Sequence, residues 1–95
     1  MATPSESIRR RVRIVGLVQG VGFRESCRRE ARVLGVAGTA RNLADGSVEA
    51  VFEGPAPLVE QMVTWCHHGP RIAHVRHVDV TTETPTGSTG FTIGY

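Results

Sequence analysis

The stretch from Gly16 to Ser26, GLVQGVGFRES, places three glycines within seven residues and follows them with Arg24. A glycine loop that runs into a helix start gathers backbone N–H groups, and such groups collect around anions. The planar fork of arginine grips two phosphate oxygens at once. A second polar residue, Asn42, stands just ahead of a turn signal, ADGS at 44–47. Bland readings compete with both residues. An arginine at a helix start is usually a surface residue, and an asparagine near a turn usually caps or bends the chain.

These residues need elements to hold them. Apolar residues alternate from Ile8 to Val18, with Val12, Ile14, Gly16 and Val18 on one side and Arg11, Arg13, Val15 and Leu17 on the other. That is strand periodicity. Phe23 to Leu34 reads as a helix, with Phe23, Cys27, Ala31 and Leu34 on one stripe and Gly35 at the stop. Val36 to Leu43 is expected to be a second strand, and 44–47 a hairpin turn. Val48, Ala50 and Phe52 alternate with Glu49, Val51 and Glu53, which predicts a third strand with a polar-leaning face. Gly54 and Pro55 are expected to break it. Pro57 suits the start of a second helix, whose apolar residues are Leu58, Val59, Met62, Val63, Trp65 and Cys66, and HHGP ends it. A fourth strand is expected from about Ile72 to Val80, with a slip between Val75 and Val78 that signals a bulge. TETPTGSTG reads as a loop, and Phe91, Ile93 and Tyr95 as a short last strand. The order is β-α-β-β-α-β with an added strand. This is the ferredoxin-like α/β (α+β) sandwich: two helices on one face of a mostly antiparallel sheet.

Ninety-five residues, 40% hydrophobic and 21% charged, make one small domain. Residues 1–7 are expected to be a flexible N-terminal tail, and 8–95 the domain. No apolar run reaches the roughly 20 residues of a membrane span. No signal peptide is visible in MATPSES, so a cytoplasmic location is expected. All 11 basic residues are arginine. The absence of lysine excludes a Schiff base and the lysine of a nucleotide P-loop. A net charge of +2 is too small to imply nucleic acid by itself.

Other chemistries fit less well. His67, His68, His74 and His77 lack a cysteine pair or carboxylate at metal-ligand spacing, so no metal is expected. Reading RNA needs stacking aromatics on the sheet face, and no RGFGFV-like run exists. A cysteine phosphatase needs its cysteine ahead of the anion loop, whereas Cys27 follows Arg24 on the apolar stripe. Cys27 and Cys66 are expected to be two reduced thiols.

Two longer patterns carry a resemblance. IVGLVQGVGFR, Ile14 to Arg24, satisfies every position of the first acylphosphatase signature: aliphatic, any, Gly, any, Val-Gln-Gly-Val, any, Phe or Met, Arg. GTARNLADGSVEAVFEG, Gly38 to Gly54, meets the second except at Thr39, where the family has an aromatic. The closing FTIGY is also similar, and the likeness covers about Ile8 to Tyr95. The resemblance implies hydrolysis of the carboxyl-phosphate bond of acyl phosphates, without metal or cofactor. It implies that Arg24 binds phosphate and that Asn42 positions the attacking water. Gln19, Gly20, Val21, Gly22 and Phe23 would form the backbone cradle. The partner is then a small acyl phosphate, with inorganic phosphate as product and competitive inhibitor. A monomer is expected, and neither a membrane nor nucleic acid. The alternative is a catalytically weak acylphosphatase-like module that binds an anion or RNA. Thr39 is expected to loosen packing beside Asn42 or open a wall of the site.

Overall fold

The computed structural model describes residues 6–94. Strands β1 (Ser7–Leu17), β2 (Ala37–Asn42), β3 (Val48–Pro55), β4 (His74–Glu83) and β5 (Phe91–Ile93) alternate with helices α1 (Phe23–Leu34) and α2 (Ala56–Cys66). The sheet order is β4-β1-β3-β2-β5. All neighbours are antiparallel except β2 and β5, which are parallel. This is the expected ferredoxin-like sandwich with one added strand. Residues 1–5 of the expected tail, and Tyr95 of the expected last strand, lie outside the described residues. Ser7 pairs with Pro55 inside the sheet. No helix among the described residues is long and apolar enough to cross a membrane.

The period-2 pattern of β1 puts Val12, Ile14 and Val18 in the core, against Phe23, Cys27 and Ala31 from α1 and Val59, Met62 and Cys66 from α2. Phe23 meets Trp65 edge-on, ring centroids 5.2 Å apart, and so ties the two helices together.

Several boundaries differ from the sequence reading. Gly54 and Pro55 do not break β3; they pair with Ile8 and Ser7, and α2 starts at the next residue. Strand β4 runs three residues past Val80, because Thr81, Thr82 and Glu83 find partners in Arg11, Arg10 and Arg9. The expected bulge is present. Val15 faces His77 and Gly16 faces Val75, so Arg76 is skipped.

The face of β3 read as polar-leaning holds a surprise. Val51 and Glu53 are each only 3% exposed. The loop after β4 folds over Glu53 and donates to it from three backbone amides: Thr86 N to Oε1 at 2.9 Å, and Gly87 N and Ser88 N to Oε2 at 2.7 and 2.9 Å. Arg9 Nη1 adds an ion pair at 3.0 Å. Burial alone would raise this carboxyl, but the amides and Arg9 overcome it and hold the pKa at about 2. The pinned loop leads directly into β5.

Stability should follow. A carboxyl held below its unfolded value of 4.5 contributes fully above that pH, and the contribution fades as pH falls towards 2. Glu53→Gln is expected to lose about 3 kcal/mol at neutral pH and to lose less than the wild type on going from pH 5 to pH 3. Denaturant titrations of both proteins at the three pH values check this. Parallel curves separated by a constant offset would show that Glu53 titrates alike in the folded and unfolded chain, so that the fold does not hold its carboxyl low.

Candidate active site

The loop between β1 and α1 turns at Gly20 and Gly22, with φ of 76° and 74°. A Cβ at either place would meet no atom within 4 Å, so backbone conformation and not space demands glycine there. Gly22 is also the residue that caps α1, and among the described residues no side-chain cap hydrogen bond is made there. The first-turn amides of a helix have no partner within it, and the dipole makes that end positive.

A hollow of about 220 Å³ opens at this point, lined by Val18, Gly20, Gly22, Phe23, Arg24, Glu25, Asn42 and Ile93. At roughly 30 Å³ per water, it has room for a phosphoryl group and a water. Asn42 is the last residue of β2. It has the parity of buried Ala40, which aims it at the helix side of the sheet. Arg24 is the second residue of α1, half-buried, and its Nη1 donates to the Gly94 carbonyl at 3.2 Å. Parallel pairing of β5 with β2 brings that carbonyl and Ile93 to the site.

The predicted site residues therefore divide. Gly20, Gly22, Phe23, Arg24 and Asn42 share one hollow. Val21 packs against the core instead. The Gln19 side chain is a strut: Nε2 donates to Leu43 O at 2.8 Å and to Ser47 O at 2.9 Å. It ties the glycine loop to the turn that follows Asn42. Asp45 stiffens the same turn by accepting from Ser47 N and Ser47 Oγ and pairing with Arg13. Those hydrogen bonds, from Ser47 first and Arg13 next, hold the Asp45 carboxyl well below the usual range.

Sequence reasoning did not find Val18, Ile93 or Gly94 as parts of the site. Only the FTIGY likeness hinted at the last two. Glu25 lines the hollow as well, because the first turn of a helix tilts its Cβ atoms towards the N-terminus. Its Oε1 accepts from Arg28 Nη2 at 2.6 Å, and that bond lowers its pKa.

Thr39 does not border this hollow. It is exposed on the opposite face of the sheet, where it lines a separate recess of about 210 Å³ with Arg9, Val51 and Ser88. The expected effect on the wall beside Asn42 has no basis in this placement. A larger hollow of about 560 Å³ lies between the helices, but its charged lining of Glu30 and Glu60 repels an anion.

The open face of the sheet carries arginines already engaged by acids. Arg41 and Arg11 share Glu49, while Arg11 and Arg9 share Glu83, at 2.5 to 3.0 Å. Phe23, Phe52 and Phe91 are buried, and Trp65 is on α2. Among the described residues, no aromatic stands on that face for a base to stack upon. No group of three His, Cys, Asp or Glu side chains that could hold a metal ion occurs among them either.

Comparison with known proteins agrees with this architecture. The acylphosphatase family model matches residues 10–93. An acylphosphatase of Thermococcus kodakarensis is 54% identical over 86 residues, which is 90% of this chain and 94% of that one. The acylphosphatase structure from Coxiella burnetii superposes with a TM-score of 0.90 at 30% identity, covering 98% of this chain and 100% of that one. For the Bacillus subtilis enzyme the TM-score is 0.89 at 34% identity, covering 93% and 99%. The chain belongs to the acylphosphatase family.

Proposed function

We propose that the hollow at the start of α1 hydrolyses the carboxyl-phosphate bond of acyl phosphates, with Arg24 as the phosphate clamp and Asn42 as the water-positioning group. The observation that carries this reading is the convergence of an uncapped helix start, Arg24 and Asn42 on one small hollow. The family's activity supports it, and the engaged sheet face, which carries no aromatic among the described residues, disfavours the RNA-binding alternative.

The chemistry asks little covalent help of the protein. Phosphoryl transfer needs positioning and stabilisation of charge on three equatorial oxygens. The loop and first-turn amides, from Gln19 to Phe23, donate to those oxygens together with Arg24. The Asn42 side-chain oxygen accepts a hydrogen bond from water and aims it in line with the departing carboxylate. Water adds to phosphorus, the acyl oxygen–phosphorus bond breaks, and both water protons leave on the phosphate. The products are a carboxylate and inorganic phosphate. Inorganic phosphate fits the same cradle and so competes with substrate. We take the working form to be a cytoplasmic monomer that uses no metal or cofactor.

The direct test is phosphate release from benzoyl phosphate by the purified protein, with inorganic phosphate as competitor. Asn42→Ala is expected to lower kcat by ~10²-fold, as loss of one oriented polar group does, and to leave the inhibition constant of phosphate nearly unchanged. A large loss of phosphate affinity with normal kcat would reverse the role given to Asn42.

A further inference from the structure

The proposed hydrolysis needs two groups at a fixed separation: a phosphoryl group in the loop between β1 and α1, and a water held by Asn42 at the end of β2. The sheet alone does not set that separation. Strand β3 lies between β1 and β2, so the two are roughly 10 Å apart across it. The β1–β3 ladder also stops at Ile14 and Val48, and the chain from Val15 to the loop runs on past its last rung. The Arg13–Asp45 ion pair joins β1 to the β2–β3 turn, but it grips β1 inside the ladder. Gln19 spans the gap beyond it. Its Nε2 donates to Ser47 O at 2.9 Å, just ahead of β3, and to Leu43 O at 2.8 Å, just after Asn42. Those carbonyls also close the hairpin: Leu43 N donates to Ser47 O at 2.8 Å, and Gly46 N to Leu43 O at 3.2 Å. Each oxygen thus accepts twice, and Nε2 uses both of its hydrogens. The reverse orientation of the amide would set its oxygen against two carbonyl oxygens.

We infer that Gln19 is a positioning residue for the hydrolysis: its side-chain amide fixes Asn42 relative to the phosphate cradle. The inference rests on the roles proposed above for Asn42 and the loop. Gln19 is not in the wall of the hollow, and with both hydrogens engaged its side chain has none to offer an anion. It therefore acts through Asn42. The two carbonyls it holds belong to the residue after Asn42 and the residue before Val48, and Val48 is the partner of Asn42 across the hairpin. A shift of the hairpin against the loop carries Asn42 with it. In-line attack is sensitive to such a shift, since about 1 Å of misplacement can cost ~10²-fold in rate. Phosphate binding is not, because the glycine loop, the first turn of α1 and Arg24 lie together on one side of the strut.

The test measures kcat, KM for benzoyl phosphate and the inhibition constant of inorganic phosphate for the wild type, Gln19→Ala and Gln19→Met, each also in an Asn42→Ala background. Methionine keeps the length of glutamine and has no donor. Both variants are expected to lose about 10-fold or more in kcat, with the phosphate inhibition constant nearly unchanged. In the Asn42→Ala background the same substitutions should cost about 3-fold or less, since no oriented water is left to misplace. Circular dichroism and Tm report folding. If Gln19→Ala does not fold, Gln19→Met, which fills the same space, carries the comparison. Wild-type kcat in Gln19→Met, an equal loss in both backgrounds, or weakened phosphate inhibition at normal kcat would each overturn the positioning role. The two readings fail separately. Wild-type kcat in Asn42→Ala alone would end the water-positioning role and this inference with it, whereas a slow Asn42→Ala beside a wild-type Gln19→Met would end the strut's role only.

Discussion

Arg24→Ala is expected to lower kcat/KM for benzoyl phosphate by about 10³-fold or more, the range seen when an arginine that neutralises a transferring phosphoryl group is removed. The guanidinium stands at the start of α1, where the helix dipole and the loop amides point at the same small hollow. Its Nη1 donates to the Gly94 carbonyl at 3.2 Å, a long hydrogen bond that an anion can outcompete. The Gly94 contact thus helps to keep the arginine near its working position. Loss of that bond costs about 1 kcal/mol, so the variant should remain folded, and its circular dichroism and Tm serve as the control. Phosphate inhibition should weaken in parallel, because the clamp serves product and substrate alike. Arg24→Lys should not restore the rate, since an ammonium is a point charge and cannot match two oxygens with a rigid fork. A folded Arg24→Ala protein with wild-type kcat/KM would remove Arg24 from the site.

How much of this was legible in the sequence depends on how local the cause is. Helix α1 was read to the residue, from Phe23 to Leu34, because its apolar stripe and the Gly35 stop lie within the segment itself. The glycine loop and Arg24 were legible for the same reason. The ends of β3 and β4 were not. Pro55 stays in the sheet because Ser7 is there to pair with it, and Glu83 because Arg9 is. Those partners are distant in sequence, and propensity cannot see them. Glu53 is the clearest case. A glutamate on an alternating strand reads as solvent-facing, and only a loop more than thirty residues later buries it. The Gln19 strut and the Gly94 carbonyl are likewise tertiary. One crosses from the first loop to the β2–β3 turn, and the other depends on the parallel pairing of β5. Thr39 was misjudged through proximity in sequence. Three residues from Asn42 is the opposite parity on a strand, and so the other face of the sheet.

The selectivity of the site should follow from what it lacks. Benzoyl phosphate is expected to exceed phenyl phosphate in kcat/KM by about 10⁴-fold or more, with a sugar phosphate lower still. A carboxylate leaving group has a pKa of about 4 and a phenol about 10. In a loose transition state the leaving oxygen carries most of the charge of its bond. A carboxylate bears that charge unaided, whereas a phenolate or alkoxide needs a proton or a metal. Arginine stays protonated and asparagine does not titrate, so neither Arg24 nor Asn42 can supply a proton. Among the described residues, Glu25 is the one carboxyl in the wall of the hollow. Position does not disqualify it, but charge does. The bond from Arg28 lowers its pKa, so it is ionised at neutral pH and has no proton to give. Glu25→Gln is therefore expected to leave the ratio between benzoyl and phenyl phosphate unchanged. The measurement is kcat/KM on the three substrates for both proteins. Comparable values on all three in the wild type would mean that a general acid operates, and a collapse of phenyl phosphate turnover in Glu25→Gln would identify it as Glu25.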